Sequence, residues 1–277
     1  MLTAADVADY RRHGYLPGRR LLTPQQAEYF RAGCDRCCGP ARKDGIRRQA
    51  SNRVKPYLLF PWAAQLVRHP QILDTVEDLI GPDILVYHTT VWLKEPQSNE
   101  FVPWHQDATY FGLAPFEQVT AWVALTDSTI ENGCLQVLPG SHQAGQRPHK
   151  DRRDERAMLS RGQTLTDQLD EGQAINLLLS AGDVSFHHTL LMHRSSPNRS
   201  RTRRIGIGVS YIPTHVRHIG ETRLSASLVR GEDRYNHFDS EPIPEADDAP
   251  AAAQAHADAL KRFQTASESI PEMALAH

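Results

Sequence analysis

The chain has 277 residues, of which 40% are hydrophobic and 23% are charged, and its formal net charge is −2. This composition is typical of a soluble globular protein, and the length suits one large domain. The charge balance gives no argument for binding to nucleic acid or to an anionic membrane. The first residues lack a signal-peptide pattern, and no apolar run approaches the length of a membrane span. We therefore expect a cytoplasmic protein that acts on a small molecule, with its oligomeric state left open.

The first part of the chain predicts a helical layer. Two helices are expected within residues 3–38, where Thr3 and Thr23 are suited to N-cap positions. An apolar pattern over residues 62–80 predicts a third helix, which Pro70 can divide into two.

After residue 81 the pattern changes to short segments rich in β-branched and aromatic residues. Strands are predicted at residues 84–93, 120–125, 135–138, 183–188 and 204–211. Many short strands after a helical segment predict a mainly β fold with flanking α-helices, a jelly-roll core of the cupin type with N-terminal helices. We expect a single domain over 1–277, with a helical layer at about 1–80, a core at about 81–220 and a C-terminal tail at 221–277.

Two segments outside these strands are candidates for contact with a substrate. Residues 143–180 read as a long insertion between barrel strands, and such insertions in compact domains are usually functional or mobile. The tail contains an acidic, proline-containing stretch over residues 241–250, which predicts a loop, and then residues 251–267, which predict a helix.

Three cysteines form a CxxCC cluster at Cys34, Cys37 and Cys38. A zinc site is one interpretation, but no second CxxC or HxxxH pair completes it. Ordinary helix cysteines in a reducing compartment are the interpretation that we favour.

The strongest chemical signal is a histidine and a carboxylate two residues apart, at His105 and Asp107. On an extended segment such residues point to the same face, and His193 can complete a 2-His-1-carboxylate set. That ligand set leaves open coordination positions on non-haem Fe(II). Arg204 follows in the next predicted strand, and its guanidinium suits a carboxylate such as one end of 2-oxoglutarate. An HxD pair alone is weak, because the chain has 14 histidines.

Several short motifs stand in a distinctive order along the chain. They are His105-Gln106-Asp107, Trp122, Glu131-Asn132-Gly133-Cys134, Leu138-Pro139-Gly140-Ser141-His142, His193, Pro197-Asn198 and Arg204. This ordered set resembles the phytanoyl-CoA dioxygenase family from about residue 5 to about residue 218. The resemblance implies a double-stranded β-helix core. It also implies an enzyme that uses Fe(II), 2-oxoglutarate and O2 and releases succinate and CO2, with ascorbate as a candidate stimulant.

The resemblance also implies roles for individual residues. The iron ligands would be His105, Asp107 and His193. The cosubstrate positions would be Arg204 and Ser195 at the distal carboxylate, Trp122 against the cosubstrate, and Gln106 and Thr90 near it.

Asp107 also bears on the reaction that the resemblance implies. Related halogenases carry Gly or Ala at the carboxylate position, which opens a site for chloride. A carboxylate there favours hydroxylation or another oxidation.

Other polar residues near the motifs favour structural roles. His142 suits a turn, and His187 with His188 is expected to pack around the strand before His193. Arg203 should point away from the side of the strand that carries Arg204.

Two rival functions stay open at this point. One is a zinc hydrolase on the same three ligands, and the other is a non-catalytic binding module on a jelly-roll scaffold. The substrate is not specified, since CoA esters, amino acids, phosphonates and natural products all fit the family. We expect a small-molecule oxygenase, with secondary metabolism as the favoured setting.

Overall fold

The computed structural model describes residues 1–38, 50–152, 154–159 and 161–269. Within them the helices are α1 (Ala4–His13), α2 (Pro24–Cys37), α3 (Pro61–Leu66), α4 (Pro70–Ile80), α5 (Asp107–Phe111) and α6 (Pro250–Ser269). The strands are β1 (Tyr15–Arg20), β2 (Ile84–Lys94), β3 (Val102–His105), β4 (Leu113–Ala114), β5 (Val119–Ala124), β6 (Leu135–Val137), β7 (His149–Asp151), β8 (Gln163–Leu165), β9 (Ile175–Leu177), β10 (Asp183–His188), β11 (His193–Ser195), β12 (Arg204–Pro213), β13 (Arg217–His218), β14 (Ser225–Arg230) and β15 (Asp239–Ser240).

The first two helices begin where the sequence predicts. The Thr3 hydroxyl accepts a hydrogen bond from the Asp6 amide at 3.2 Å, and the Thr23 hydroxyl accepts one from the Gln26 amide at 3.2 Å. Both threonines belong to complete capping boxes, which satisfy amides that a helix start leaves unpaired. The predicted third helix is divided in two, because Pro70 occupies the start of α4.

Two antiparallel sheets form the jelly-roll core, which confirms the predicted fold class. The larger sheet has the strand order β1-β10-β5-β12-β2-β14-β15, in which β14 and β15 pair in parallel, and the smaller sheet has the order β3-β11-β6-β9. Residues from both sheets line one cavity.

Strand alternation gives the larger sheet an apolar face and a polar face. On β12, Ile205, Ile207 and Val209 belong to the main core cluster. They share it with helix residues such as Phe30, Trp62, Leu66, Ile72 and Val76. Full burial of each branched side chain contributes about 1.5–3 kcal/mol. The intervening residues of β12 face the other way, and Arg204 and Gly208 among them line the cavity.

The barrel continues beyond residue 220, where the sequence predicts a tail. β14 pairs with β2 in the larger sheet, so part of the expected tail belongs to the core. The predicted helix is present as α6, and its Phe263 belongs to a second apolar cluster with Tyr87 and Phe111. The 143–180 segment contains β7, β8 and β9, of which β9 extends the smaller sheet.

The cysteines of the CxxCC cluster lie at the end of α2 and are not bridged. Cys34 and Cys38 are buried, and the Cys38 thiol donates to the Asn52 carbonyl at 3.2 Å. Within the described ranges, the group of side chains able to hold a metal ion contains no cysteine. These contacts favour the interpretation as helix cysteines.

No helix in the described part of the chain has the length and apolar character needed to cross a membrane. The cytoplasmic location stays a prediction.

Candidate active site

Three residues of the predicted metal set meet at one end of the cavity. His105 ends β3, His193 begins β11, and the two are direct partners in the smaller sheet. Asp107 does not belong to the strand: Gln106 is still extended but is the N-cap of α5, and Asp107 is the first residue of that helix. Ligand atoms of His105, Asp107 and His193 all lie within 4.8 Å of one another. Asp107 Oδ1 lies 3.5 Å from His105 Nε2 and 3.7 Å from His193 Nε2.

The two histidines are oriented by backbone carbonyls. His105 Nδ1 lies 2.9 Å from the Pro103 carbonyl oxygen, and His193 Nδ1 lies 2.9 Å from the Leu191 carbonyl oxygen. A carbonyl can only accept, so each Nδ1 carries the proton and each Nε2 presents a lone pair. This is the arrangement by which proteins prepare histidines for metal ions.

The electrostatics of the group also suit a cation. Burial would raise the pKa of the Asp107 carboxyl, but His193, His105 and His187 hold that pKa well below its ordinary value. Burial, with a smaller effect of His105, lowers the pKa of His193 well below its ordinary value. The site therefore offers an ionised carboxylate beside a neutral His193 imidazole at neutral pH, as metal binding requires.

Arg204 lies in the same cavity, and its surroundings are unusual for a buried charge. It is 2% exposed, and burial lowers the pKa of its guanidinium to about 10. One Nη donates to the Gly133 carbonyl, whereas Nε has no hydrogen-bond acceptor. No carboxylate within the described ranges forms an ion pair with this guanidinium. Because an unpaired buried charge is costly, the cavity is suited to an anionic ligand.

Lys94 and Ser195 adjoin the guanidinium. The Lys94 ammonium is buried and donates to Ser195 Oγ at 2.7 Å, and it also donates to the Ser195 and Ser196 carbonyls. Burial and then the charge of Arg204 lower the pKa of Lys94 to about 6. When Lys94 is protonated, Ser195 Oγ accepts from it, and the hydrogen of the Ser195 hydroxyl is then available to a ligand.

Two indole rings form part of the cavity wall. The Trp122 ring lies 5.4 Å from the Arg204 guanidinium, in cation–π range. Trp92 also lines the cavity. Both indoles lie over glycines of β12, because a Cβ on Gly206 would clash with Trp122 and one on Gly208 would lie 3.2 Å from Trp92 Nε1.

We expect Gly206→Ala to impair this site. The pairs with β2 and β5 fix the backbone of β12, so the Trp122 indole has to move into the cavity. Such overpacking costs about 1–3 kcal/mol. Thermal unfolding should show a lower Tm, and a dicarboxylate should bind more weakly in calorimetry. Gly208→Ala is the matched control and should have a milder effect on Tm and on binding. Equal effects of the two substitutions would contradict the conclusion that the Trp122 ring needs a glycine at position 206.

A model of the phytanoyl-CoA dioxygenase (PhyH) family matches residues 10–206. The chain belongs to the phytanoyl-CoA dioxygenase family. It is 30% identical over 243 residues to the peroxisomal phytanoyl-CoA dioxygenase of Rattus norvegicus, which covers 80% of this chain and 72% of the rat protein. It is 27% identical over 225 residues to L-proline trans-4-hydroxylase of Streptomyces griseoviridis, covering 73% of this chain and 83% of that protein.

Among solved structures, this family member is similar to the apo form of the non-heme monooxygenase ThoJ. The TM-score is 0.83 at 34% identity, over 95% of this chain and 97% of that chain. The nickel complex of ThoJ matches with a TM-score of 0.79 at 33% identity, over 95% and 98%. These findings confirm the predicted family and the predicted class, the Fe(II)- and 2-oxoglutarate-dependent dioxygenases.

Two residues that the resemblance places near the cosubstrate do not line the cavity of this family member. The Gln106 amide donates to the Gly145 and Leu190 carbonyls at 3.0 and 2.7 Å, and its oxygen accepts from the Arg147 amide at 2.8 Å. Its polar atoms therefore fix the loop after β6 and are not free for a ligand. Thr90 lies on the same face of β2 as Trp92 but is not part of the cavity wall.

The structure also places the other polar residues that the sequence analysis considered. Arg203 points outward to Glu95 and Asp35, as strand alternation predicts. His142 contacts the Arg11 carbonyl at 3.1 Å, in agreement with a structural role. His187 packs against His193, with 4.6 Å between the ring centres, and it also lines the cavity.

Residues that sequence reasoning missed also line or adjoin the site. The signal was the period-two pattern of the strands, which places every second residue on the inner face. This pattern identifies cavity residues only once it is known which face of each strand points into the cavity. The missed residues are Trp92, Lys94, Thr120 and His187.

Proposed function

We propose that this protein oxidises a small molecule with Fe(II) held by His105, Asp107 and His193, and that hydroxylation is its main outcome. The observation that supports this most directly is that one cavity joins a compact His–Asp–His group to a buried guanidinium without a carboxylate partner. A metal ion would bind to the His–Asp–His group, and a carboxylate of 2-oxoglutarate would pair with the guanidinium. Both components belong to the family's chemistry.

The residues present fit the two components. Two imidazoles and one carboxylate are the donor set of non-haem iron oxygenases, and they leave open positions on the metal. When bound, the iron and the cosubstrate supply the oxidising chemistry, with succinate and CO2 as products.

Residues of the chain bind the cosubstrate, orient it and the metal ligands, and limit the access of water. Arg204 offers two parallel N–H donors to the distal carboxylate of 2-oxoglutarate, and Ser195 offers its hydroxyl hydrogen. Trp92 and Trp122 line the same cavity with apolar surface, which limits the access of water to the bound cosubstrate. The carbonyls behind His105 and His193 hold the imidazole nitrogens toward the metal.

The substrate class that we propose is a small organic molecule, with a secondary metabolite as the favoured candidate. The relatives' names include a CoA ester and an amino acid as substrates. The test is a panel of CoA esters, amino acids, phosphonates and natural-product scaffolds, each scored for succinate formation with Fe(II) and 2-oxoglutarate. A true substrate should accelerate succinate release above the uncoupled rate.

The same assay separates the rival functions. A zinc hydrolase would turn over with Zn²⁺ in the absence of 2-oxoglutarate and would form no succinate. A non-catalytic binding module would bind a panel member equally well after His105→Ala and would form no succinate either. The proposal requires that zinc inhibits and that removal of 2-oxoglutarate stops turnover.

We expect oxygen insertion and not halogenation. Asp107 already supplies an anionic oxygen at the metal position, so chloride would have to displace a protein ligand. Mass spectrometry of turnover in high chloride under labelled O2 should show a product that has gained one labelled oxygen. A chlorinated product from the unmutated enzyme would overturn this assignment.

A further inference from the structure

His187 is a third histidine at the metal end of the cavity. It lies on the inner face of β10, directly opposite Thr120 of β5. It is 2% exposed, and its ring centre lies 4.6 Å from that of His193. The predicted ligand set gives this side chain no role.

The ring nitrogens of His187 differ from those of the two proposed ligands. His105 and His193 each direct Nδ1 to a backbone carbonyl, whereas among the described residues no backbone carbonyl accepts from either ring nitrogen of His187, and its Nε2 lies beside the Asp107 carboxylate. Buried polar side chains normally have a hydrogen-bonding partner, and the Asp107 carboxylate is the polar group beside His187 Nε2. His187 also lies outside the compact group of ligand atoms formed by His105, Asp107 and His193. It is therefore not prepared as a metal ligand in the way that the other two histidines are.

The two oxygens of Asp107 have separate surroundings. Oδ1 is the oxygen that lies near the Nε2 atoms of His105 and His193. Oδ2 accepts a hydrogen bond from the Thr120 hydroxyl at 2.9 Å, and His187 Nε2 lies 3.4 Å from the same Oδ2. Thr120 and His187 are cross-strand partners, so the sheet brings two donors to one carboxylate oxygen.

We propose that His187 is a positioning residue that donates from Nε2 to Asp107 Oδ2 and, with Thr120, reserves Oδ1 for the metal. This proposal rests on the proposed function, because it assigns His187 a role only if Asp107 binds a metal. A carboxylate whose second oxygen is held by two donors cannot turn to offer both oxygens to the ion. The coordination positions needed by the cosubstrate and by oxygen therefore stay open.

The test measures Co(II) binding, which needs no turnover. His187→Phe keeps a ring but removes the donor, and His187→Gln restores an N–H donor at a similar distance from the backbone. Loss of an outer-shell partner typically costs about 10–100-fold in metal affinity. We expect His187→Phe to weaken Co(II) binding by at least tenfold on that scale and to change the intensity of the cobalt d–d bands. His187→Gln should recover most of the affinity and the wild-type spectrum.

Ser185→Ala is the matched control, because Ser185 is a buried residue on the same face of β10 that does not contact Asp107. This variant should bind Co(II) like wild type. Thr120→Val should weaken binding, and its combination with His187→Phe should be less than additive, since both donors serve one oxygen. His187→Ala removes the ring without adding bulk and has to weaken binding as well, in case the phenylalanine variant folds poorly.

The proposal would be overturned if His187→Phe or His187→Ala bound Co(II) with wild-type affinity and gave an unchanged cobalt spectrum. Failure of His187→Gln to recover binding would do the same, because it would show that the ring shape matters and the donor does not. If the wild-type protein bound no Co(II), Ni(II) or Fe(II), the proposed function itself would fail, which is a distinct result.

Discussion

Asp107→Ala is expected to abolish iron-dependent turnover and to weaken metal binding by more than about 100-fold, since loss of an outer-shell partner alone costs roughly 10–100-fold. The carboxylate supplies the only anionic ligand of the proposed set, and its oxygen lies within 3.7 Å of both histidine Nε2 atoms. The measurement is calorimetric titration with Co(II), followed by succinate release with Fe(II) and 2-oxoglutarate. Circular dichroism should show that the variant keeps the fold.

The matched control for this prediction is Asp9→Ala on the exposed side of α1. It removes the same charge from an exposed position that is not part of the cavity wall, and the variant should bind Co(II) as the wild type does. Unchanged metal affinity in Asp107→Ala would remove Asp107 from the ligand set, and with it the argument against halogenation.

Arg204→Lys is expected to raise the KM for 2-oxoglutarate about 10–100-fold, while Co(II) affinity stays near the wild-type value. A hydrogen bond to a charged group contributes about 1.5–3 kcal/mol, and each 1.4 kcal/mol corresponds to tenfold in affinity. Lysine keeps the charge but loses the planar pair of N–H donors. Initial rates of succinate release over a range of 2-oxoglutarate concentrations give the KM.

Arg203→Lys is the natural control, because the two arginines are neighbours on the chain and lie on opposite sides of it. The Arg203 side chain pairs with Glu95 and Asp35 at 3.0 and 3.1 Å and does not reach the cavity. Its replacement should leave the KM for 2-oxoglutarate unchanged. A raised KM in Arg203→Lys, or a wild-type KM in Arg204→Lys, would show that the cosubstrate carboxylate binds elsewhere.

Local structure could be predicted from the sequence alone wherever it depends on residues that are close together in the chain. The Thr3 and Thr23 caps act on amides three residues away, and Pro70 acts on its own helical turn. The two faces of β12 could also be predicted, since residues that point to opposite faces alternate along this one segment. The family resemblance selected His105, Asp107, His193 and Arg204, and the structure brings these four into one cavity.

The tertiary structure decided which polar residues face the cavity and which serve the scaffold. Gln106 has the chemistry of a ligand-binding residue, but the loop after β6 supplies two backbone partners and the turn before β11 supplies a third, none of which the sequence reveals. His187 looked structural because its neighbours on the chain are strand residues. It faces Asp107 because β10 pairs with β5 in one register, and a shift of one residue would turn it outward.

The end of the core was decided in the same way. β14 is a short strand in a stretch of turns, so its sequence predicts a tail as readily as a strand. It joins the larger sheet between β2 and β15, because the edge of β2 offers backbone groups that β14 satisfies. Caps and alternation depend on neighbours within a few residues, and the sequence contains them. Register, the inner face of a sheet and the partners of a buried amide depend on segments about 80 to 140 residues apart, which only the folded chain brings together.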